Sequence, residues 1–182
     1  MRLVLAALAF ALMPFAADAQ VNAPSGYRGP DLAAQRAAMD RLSGLVGDWQ
    51  GEAQVTSPRA MTVHQSERVE RDLGGLILRV RGMGHATAER TGETIFDAFA
   101  VISFNERENR YDFRTYAHGY STNATAQFLP DGSFQWTTPP GPVQSRYTIQ
   151  FDATTWREIG EMSRDGGTTW TRTVELNLRR AN

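Results

Sequence analysis

Val143-Gln144-Ser145-Arg146-Tyr147-Thr148-Ile149-Gln150-Phe151 is the stretch whose pattern decides the fold of this chain. Side chains along a β-strand point alternately to the two faces of a sheet. Val143, Ser145, Tyr147, Ile149 and Phe151 therefore face one way, and Gln144, Arg146, Thr148 and Gln150 the other. One face buried and one face wet is the pattern of an antiparallel sheet. The same period of two places Trp170, Val174, Leu176 and Leu178 opposite Thr171, Thr173, Glu175, Asn177 and Arg179. It also places Tyr111, Phe113 and Thr115 opposite Asp112, Arg114 and Tyr116.

Working outward, ten short runs rich in β-branched and aromatic residues follow one another: 45–56, 61–71, 76–86, 93–104, 110–118, 122–128, 133–137, 143–151, 156–162 and 170–179. The separators carry turn chemistry. Leu73-Gly74-Gly75, residues 105–109, Pro130-Asp131-Gly132 and Asp165-Gly166-Gly167 read as hairpins, because Gly and Asn accept positive φ. Pro139-Pro140-Gly141-Pro142 cannot lie inside a ladder and is a loop. Short connections let sequential strands pair as a meander. An open meander of that size leaves two bare edges, which closure removes. The expected fold is all-β: an antiparallel up-and-down barrel of about eight to ten strands, with room for a small ligand inside. Asp31 caps a short helix over 32–42, with Leu32, Met39 and Leu42 as its apolar positions, and Gly44 ends it. That helix is expected to cover one barrel mouth.

The N-terminus reads as a secretory signal. Arg2 supplies the positive start, residues 3–15 are apolar, and Ala17-Asp18-Ala19 places cleavage before Gln20. The apolar run falls short of the ~20 residues that span a bilayer, so no membrane span is expected after removal. Residues 20–30 read as a flexible leader and 31–182 as a single barrel domain. Export to the periplasm or the extracellular space is the expected destination.

Removing residues 1–19 leaves 163 residues with 18 basic and 19 acidic side chains. That is enough chain for one domain with a sizeable core. A net charge of −1 offers no concentrated basic footprint for nucleic acid. The chain contains no Cys, which excludes thiol catalysis and cysteine-ligated metal. All its basic residues apart from histidine are Arg, so Schiff-base chemistry on lysine and a phosphate-loop lysine are excluded too. No Gly-x-Ser-x-Gly elbow occurs. Asn123-Ala124-Thr125 fits a glycosylation sequon, a triplet that arises often by chance.

Leu45-Val46-Gly47-Asp48-Trp49-Gln50-Gly51-Glu52 opens the first strand after the helix. Gly47-x-Trp49 resembles the start of lipocalins and other calycin barrels, in which the Trp closes the barrel floor. With Gly51 the longer form is similar to nitrobindin-like barrels and to a related group of secreted bacterial proteins of unknown function. The resemblance spans roughly residues 32–180 in strand order and spacing, and rests on Gly47, Trp49 and Gly51 as motif residues. It implies a calycin-like barrel that holds a small molecule inside. Nitrobindin-like barrels bind haem through a histidine in the final strand, and 170–179 here contains none. Haem binding is therefore not carried over; His85 or His118 would have to serve as the axial ligand instead, and no cofactor is expected.

Ser163-Arg164-Asp165-Gly166-Gly167-Thr168-Thr169-Trp170 matches the Asp-box pattern Ser-x-Asp-x-Gly-x-Thr-Trp. In sialidases the box recurs on successive propeller blades, away from the active site. A propeller needs several blades, and one copy stands here. The expectation is a stabilised hairpin, with Asp165 bonding turn amides, Gly167 in the turn and Trp170 packing beneath.

Few residues remain for chemistry. His64, His85 and His118 lack metal-ligand spacing, so no metal site is expected. His118 lies in Tyr116-Ala117-His118-Gly119-Tyr120, at a strand end beside a barrel mouth, where Tyr116 and His118 are candidates to line a ligand entrance. Arg79 and Arg81 share a face, and either a solvated wall or an interior clamp on a carboxylate ligand explains them. Glu158 shares a face with Trp156 and Met162; if that face is internal, it needs a partner, with Arg146, Arg114 or Tyr147 as candidates. The leading expectation is a binding protein for a small apolar or amphipathic ligand, including a carboxylate. The alternatives are a small hydrolase or isomerase using Glu158 with His118 or a Tyr, and an interaction domain using the outer wall.

Overall fold

The structure, a computed structural model, describes residues 29–89 and 92–181. The expected signal, 1–19, and most of the expected leader lie outside the described residues.

Helix α1 spans Leu32–Asp40, capped by the Asp31 carboxylate, which accepts from the Ala34 amide at 3.0 Å. It ends two residues before the expected boundary. Arg41 and Leu42 donate to the carbonyls three residues back, so the chain tightens and a 3₁₀ turn follows at Ser43–Leu45. That tightening carries Leu42 and Leu45 under the barrel, where both are buried. Leu32 was expected on the apolar face but is 41% exposed, because it stands on the first turn, away from the barrel floor.

Ten strands follow: β1 (Gly47–Val55), β2 (Met61–Asp72), β3 (Ile77–His85), β4 (Thr94–Asn105), β5 (Arg110–Ala117), β6 (Tyr120–Phe128), β7 (Phe134–Thr137), β8 (Gln144–Phe151), β9 (Thr155–Ser163) and β10 (Thr171–Arg180). Each pairs antiparallel with its sequence neighbour, and β10 pairs antiparallel with β1 to close the barrel. An even number of up-and-down strands is what lets the last meet the first in antiparallel sense. The expected strands all form, with bounds shifted by one or two residues.

One grouping is corrected. A bulge between Arg172 and Val174 shifts the register of β10 on β9. Val174, Leu176 and Leu178 keep the inward face, but Trp170 does not join them: it lies beneath the Arg146 guanidinium at 4.2 Å. The Asp165 turn forms as expected. Its carboxylate accepts from the amides of Thr168 and Thr169 and from the hydroxyls of Ser163 and Thr169, while the Trp170 indole N–H donates to the Gly167 carbonyl at 3.0 Å. These bonds hold the Asp165 carboxyl down at about 2. Asp165→Ala is expected to lower the melting temperature and sharpen exchange of the Thr168 and Thr169 amides, read by hydrogen exchange, because four acceptor contacts are lost together.

The barrel floor explains the Gly47-x-Trp49-x-Gly51 start. Trp49 is fully buried, donates from its indole N–H to the Leu45 carbonyl at 2.7 Å and meets Trp156 edge-on at 5.8 Å. Arg180 lays its guanidinium over the Trp49 ring at 4.2 Å and donates to the carbonyls of Gly44, Val46 and Ala153. Gly51 sits where β1 and β10 close the barrel, and an added Cβ there would lie 2.0 Å from the Asn177 carbonyl oxygen. Beside them, Phe104, Tyr111, Phe128 and Phe134 form an edge-to-face cluster, and the Tyr111 hydroxyl donates to the Ala38 carbonyl of α1 at 2.7 Å. The helix is thus fastened across the closed end.

Candidate functional site

Strand parity builds the interior. The inward positions of β2 are Val63, Gln65, Glu67 and Val69, each paired with an inward position of β1. On β3 they are Leu78, Val80, Gly82 and Gly84, and on β4 Phe96, Ala98, Ala100 and Ile102. On β9 they are Trp156, Glu158, Gly160 and Met162. Above the apolar floor the middle of the barrel therefore carries two carboxyls, Glu67 and Glu158, among mostly apolar and aromatic walls, with Gln65 and Thr115 as further polar groups.

Part of that middle is filled. Phe113, Trp136 and Tyr147 stack face to face, with centroids 4.7 Å and 4.1 Å apart and planes within 10° of parallel. Gly160 makes this possible: a Cβ there would come within 2.6 Å of the Tyr147 ring. What is left is a cavity of about 100 Å³ whose lining includes Glu67, Glu158, Ala98, Phe113, Trp136 and Trp156. A larger open depression of about 400 Å³ lies on the outer wall along β8, β9 and β10, edged by Gln150, Arg157 and Arg179. Its polar lining is solvated, and the interior holds the distinctive chemistry.

Glu67 is 8% exposed, and its Oε1 accepts from the Gln65 amide at 2.7 Å. Burial pushes its carboxyl up to about 8; the Gln65 hydrogen bond opposes that rise, the charge of Glu158 adds to it, and the field of Arg81 from the outer wall opposes it. Glu158 accepts from the Trp156 indole at 3.2 Å. Burial raises its carboxyl to about 7 against the indole hydrogen bonds of Trp156 and Trp136. Glu158 is enclosed by the barrel yet keeps some accessible surface, on the side where it lines the cavity. Tyr147 is also pushed up, by burial first and by Glu158 second. Among the described residues no arginine or histidine pairs with either carboxyl.

The residues singled out from sequence divide between inside and outside. Glu158 and Tyr147 point inward. Arg79 and Arg81 stand on the outer wall, the first paired with Glu70 and Asp72, the second with Asp97, so no interior clamp is built from them. Neither Arg114 nor Arg146 is a partner of Glu158: Arg114 is exposed, and Arg146 bonds Glu161 at 2.7 Å on the outer wall. The partner is an indole instead. Tyr116 is 52% exposed on the outside, tilted against Phe99 at 6.5 Å. His118 occupies the two-residue turn between β5 and β6 with φ 52°, followed by Gly119 at φ 81°. Both positive angles belong to the hairpin turn, which carries His118 out to solvent, 5.9 Å from the Phe96 ring and away from Glu158. The expected Glu158–His118 pair is not assembled. His85 is buried on the outer register opposite His64, with Nδ1 lacking a hydrogen-bond partner among the described residues.

Glu67 was missed from sequence, although its signal was there. Val63, Gln65, Glu67 and Val69 share parity, and the two flanking valines mark that face as the inner one.

A closed, all-antiparallel barrel with its floor sealed by a helix and a Trp is a lipocalin-like, calycin-like fold. The comparisons agree at that level. Rv2717c from M. tuberculosis superposes with a TM-score of 0.60 at 15% identity, over 80% of this chain and 98% of that one. The S-type phycobiliprotein lyase CpeS from Guillardia theta superposes with a TM-score of 0.55 at 11% identity, over 80% of this chain and 92% of that one. No protein-family model and no curated protein matches the sequence. At such identities the likeness is one of fold alone. The haem of nitrobindin-like barrels does not fit here. No histidine lines the cavity among the described residues, and about 100 Å³ is far too small for the macrocycle.

Proposed function

We propose that this chain is an exported, non-enzymatic binding protein that holds a small amphipathic molecule in the middle of its barrel. One observation carries the reading. The interior keeps an unfilled cavity of about 100 Å³ with two carboxyls on an aromatic and aliphatic wall. Apolar walls with a few convergent polar groups are the usual makeup of a small-molecule site. An engineered cavity of ~150 Å³ takes a benzene, so this one suits an occupant of about four non-hydrogen atoms. A lipid-sized ligand would require the Phe113–Trp136–Tyr147 stack to move.

Ala98 borders the cavity from β4. Ala98→Leu is expected to fill the space and weaken binding of any interior ligand by roughly tenfold or more, with the far-UV spectrum unchanged. Native mass spectrometry of the purified protein and Trp fluorescence titration of both forms check this. Equal binding by wild type and Ala98→Leu would place the ligand elsewhere.

Export rests on the N-terminal pattern of Arg2, the apolar run and Ala17-Asp18-Ala19. The mature protein recovered outside the cytoplasm is expected to begin at Gln20, as read by intact mass. A mass matching the full chain would overturn the proposed cleavage.

A further inference from the structure

Two carboxyls share one small chamber, and among the described residues no positive group inside answers them. Glu67 enters from β2 and Glu158 from β9, and both line the same cavity. Glu67 is more than nine-tenths buried, and beyond the Gln65 amide on Oε1 its other oxygen has no hydrogen-bond partner among the described residues. Its position is built into the fold by Gly82 on β3. A Cβ at residue 82 would lie 2.6 Å from Glu67 Oε1, so only glycine leaves that carboxyl its place. The other groups facing the pair are Gln65 from β2, Thr115 from β5, Tyr147 from β8 and the indole N–H groups of Trp136 and Trp156, which donate to Glu158; Arg81 acts only from the outer side of β3. Burying one carboxylate without a counter-charge is costly, and burying two beside each other is costlier.

We propose that this chamber takes a small organic cation bearing N–H groups, of the size of guanidinium or a short primary alkylammonium, with Glu67 and Glu158 accepting its hydrogen bonds and the Trp136 and Phe113 rings forming its wall. The inference rests on the interior-binding reading above and adds the charge and donor pattern of the occupant. N–H donors satisfy carboxylate oxygens, and a planar fork does so bidentately. Both faces of Trp136 are covered in the stack, so the rings supply an apolar wall and the carboxyls supply the preference for positive charge. The volume limits the occupant to about four non-hydrogen atoms, the number in guanidinium. A hard divalent metal fits less well. Such ions take about six oxygen ligands, and no group of three metal-ligating His, Cys, Asp or Glu is present among the described residues.

Because burial keeps Glu67 largely protonated and Glu158 partly protonated near neutral pH, a monocation must displace about one proton when it enters, the first from Glu158. Binding therefore strengthens as pH rises through 7 and 8.

The test is calorimetric titration of the purified protein with millimolar guanidinium, methylammonium, urea and calcium, at pH 6 and pH 9 and in two buffers of different ionisation enthalpy. Urea is the neutral isostere of guanidinium. The expected result is guanidinium or methylammonium binding roughly tenfold tighter than urea, tightening roughly tenfold between pH 6 and pH 9, with proton release. Glu158→Gln and Glu67→Gln should each weaken it by roughly tenfold, with circular dichroism confirming the fold. If Glu67→Gln fails to fold, the pH profile and Glu158→Gln still decide. Urea binding as tightly as guanidinium, and blocked by Ala98→Leu, would overturn the cation inference and leave the interior-binding reading standing. Preferential calcium binding, or cation binding indifferent to both substitutions, would also overturn the inference. Absence of any binding at either pH would overturn both it and, for ligands of this size, the reading beneath it.

Discussion

Glu67→Gln is expected to stabilise the protein by about 4 kcal/mol more at pH 8.5 than at pH 5. In the folded state the Glu67 carboxyl titrates at about 8, against an ordinary value of 4.5. Between those values the folded chain holds a proton that the unfolded chain has released, so stability falls as pH rises. The carboxyl's contribution is fully present below 4.5 and is lost as pH climbs through about 8. Glu158, raised to about 7, adds a second decline between 4.5 and 7. Glutamine has the same shape, keeps an oxygen for the Gln65 amide and cannot ionise. Thermal melts of wild type and variant across pH 5 to 8.5 should therefore diverge on the alkaline side, where wild type falls and the variant falls less. Parallel melting curves over that range would mean that the Glu67 carboxyl is not kept from water.

Gly51→Ala acts on the backbone and is expected to cost about 3 kcal/mol, lowering the melting temperature by roughly 10 °C. Its Cβ would lie 2.0 Å from the Asn177 carbonyl oxygen and 2.9 Å from the Leu178 Cα. A flexible side chain can swing away from such an approach; two paired strands cannot without lengthening their hydrogen bonds. Gly51 stands opposite Leu178 in the β1–β10 register, so the strain falls on the one pairing that joins the ends of the sheet. A drop below 2 °C by circular dichroism would show that the pairing has slack the close approach does not suggest.

Much of this architecture can be read directly from residues. The alternation through Tyr147, Ile149 and Phe151 carries the sheet's two faces, and the Gly-rich turns carry its meander. Antiparallel closure follows because open edges are costly. The interior is harder to read, for physical reasons. Arg79 and Arg81 have the right period for either face, and only the burial of Leu78, on the face opposite to theirs, settles that the arginines face water. Glu67 was legible by parity with Val63 and Val69, yet a charged side chain between polar neighbours reads as solvent-facing until the flanking valines are weighed. His118 was legible as a turn residue through its Gly119 neighbour, since a two-residue hairpin requires positive φ at both positions. The small size of the cavity was not legible at all. It depends on Phe113, Trp136 and Tyr147 meeting from three strands, and no local pattern announces that they stack.

The closure of β10 on β1 has a kinetic side. Residues 49–55 must wait for 174–180 before the sheet has no free edge, so the final step joins segments separated by nearly the whole described length. Pairings that distant form slowly, because the intervening chain must be ordered first. Until residues 174–180 are in place the sheet keeps two open edges and an unsealed floor, since Arg180 also completes the cover over Trp49. The pairing of β10 with β1, rather than any earlier hairpin, is thus the step that completes the native barrel.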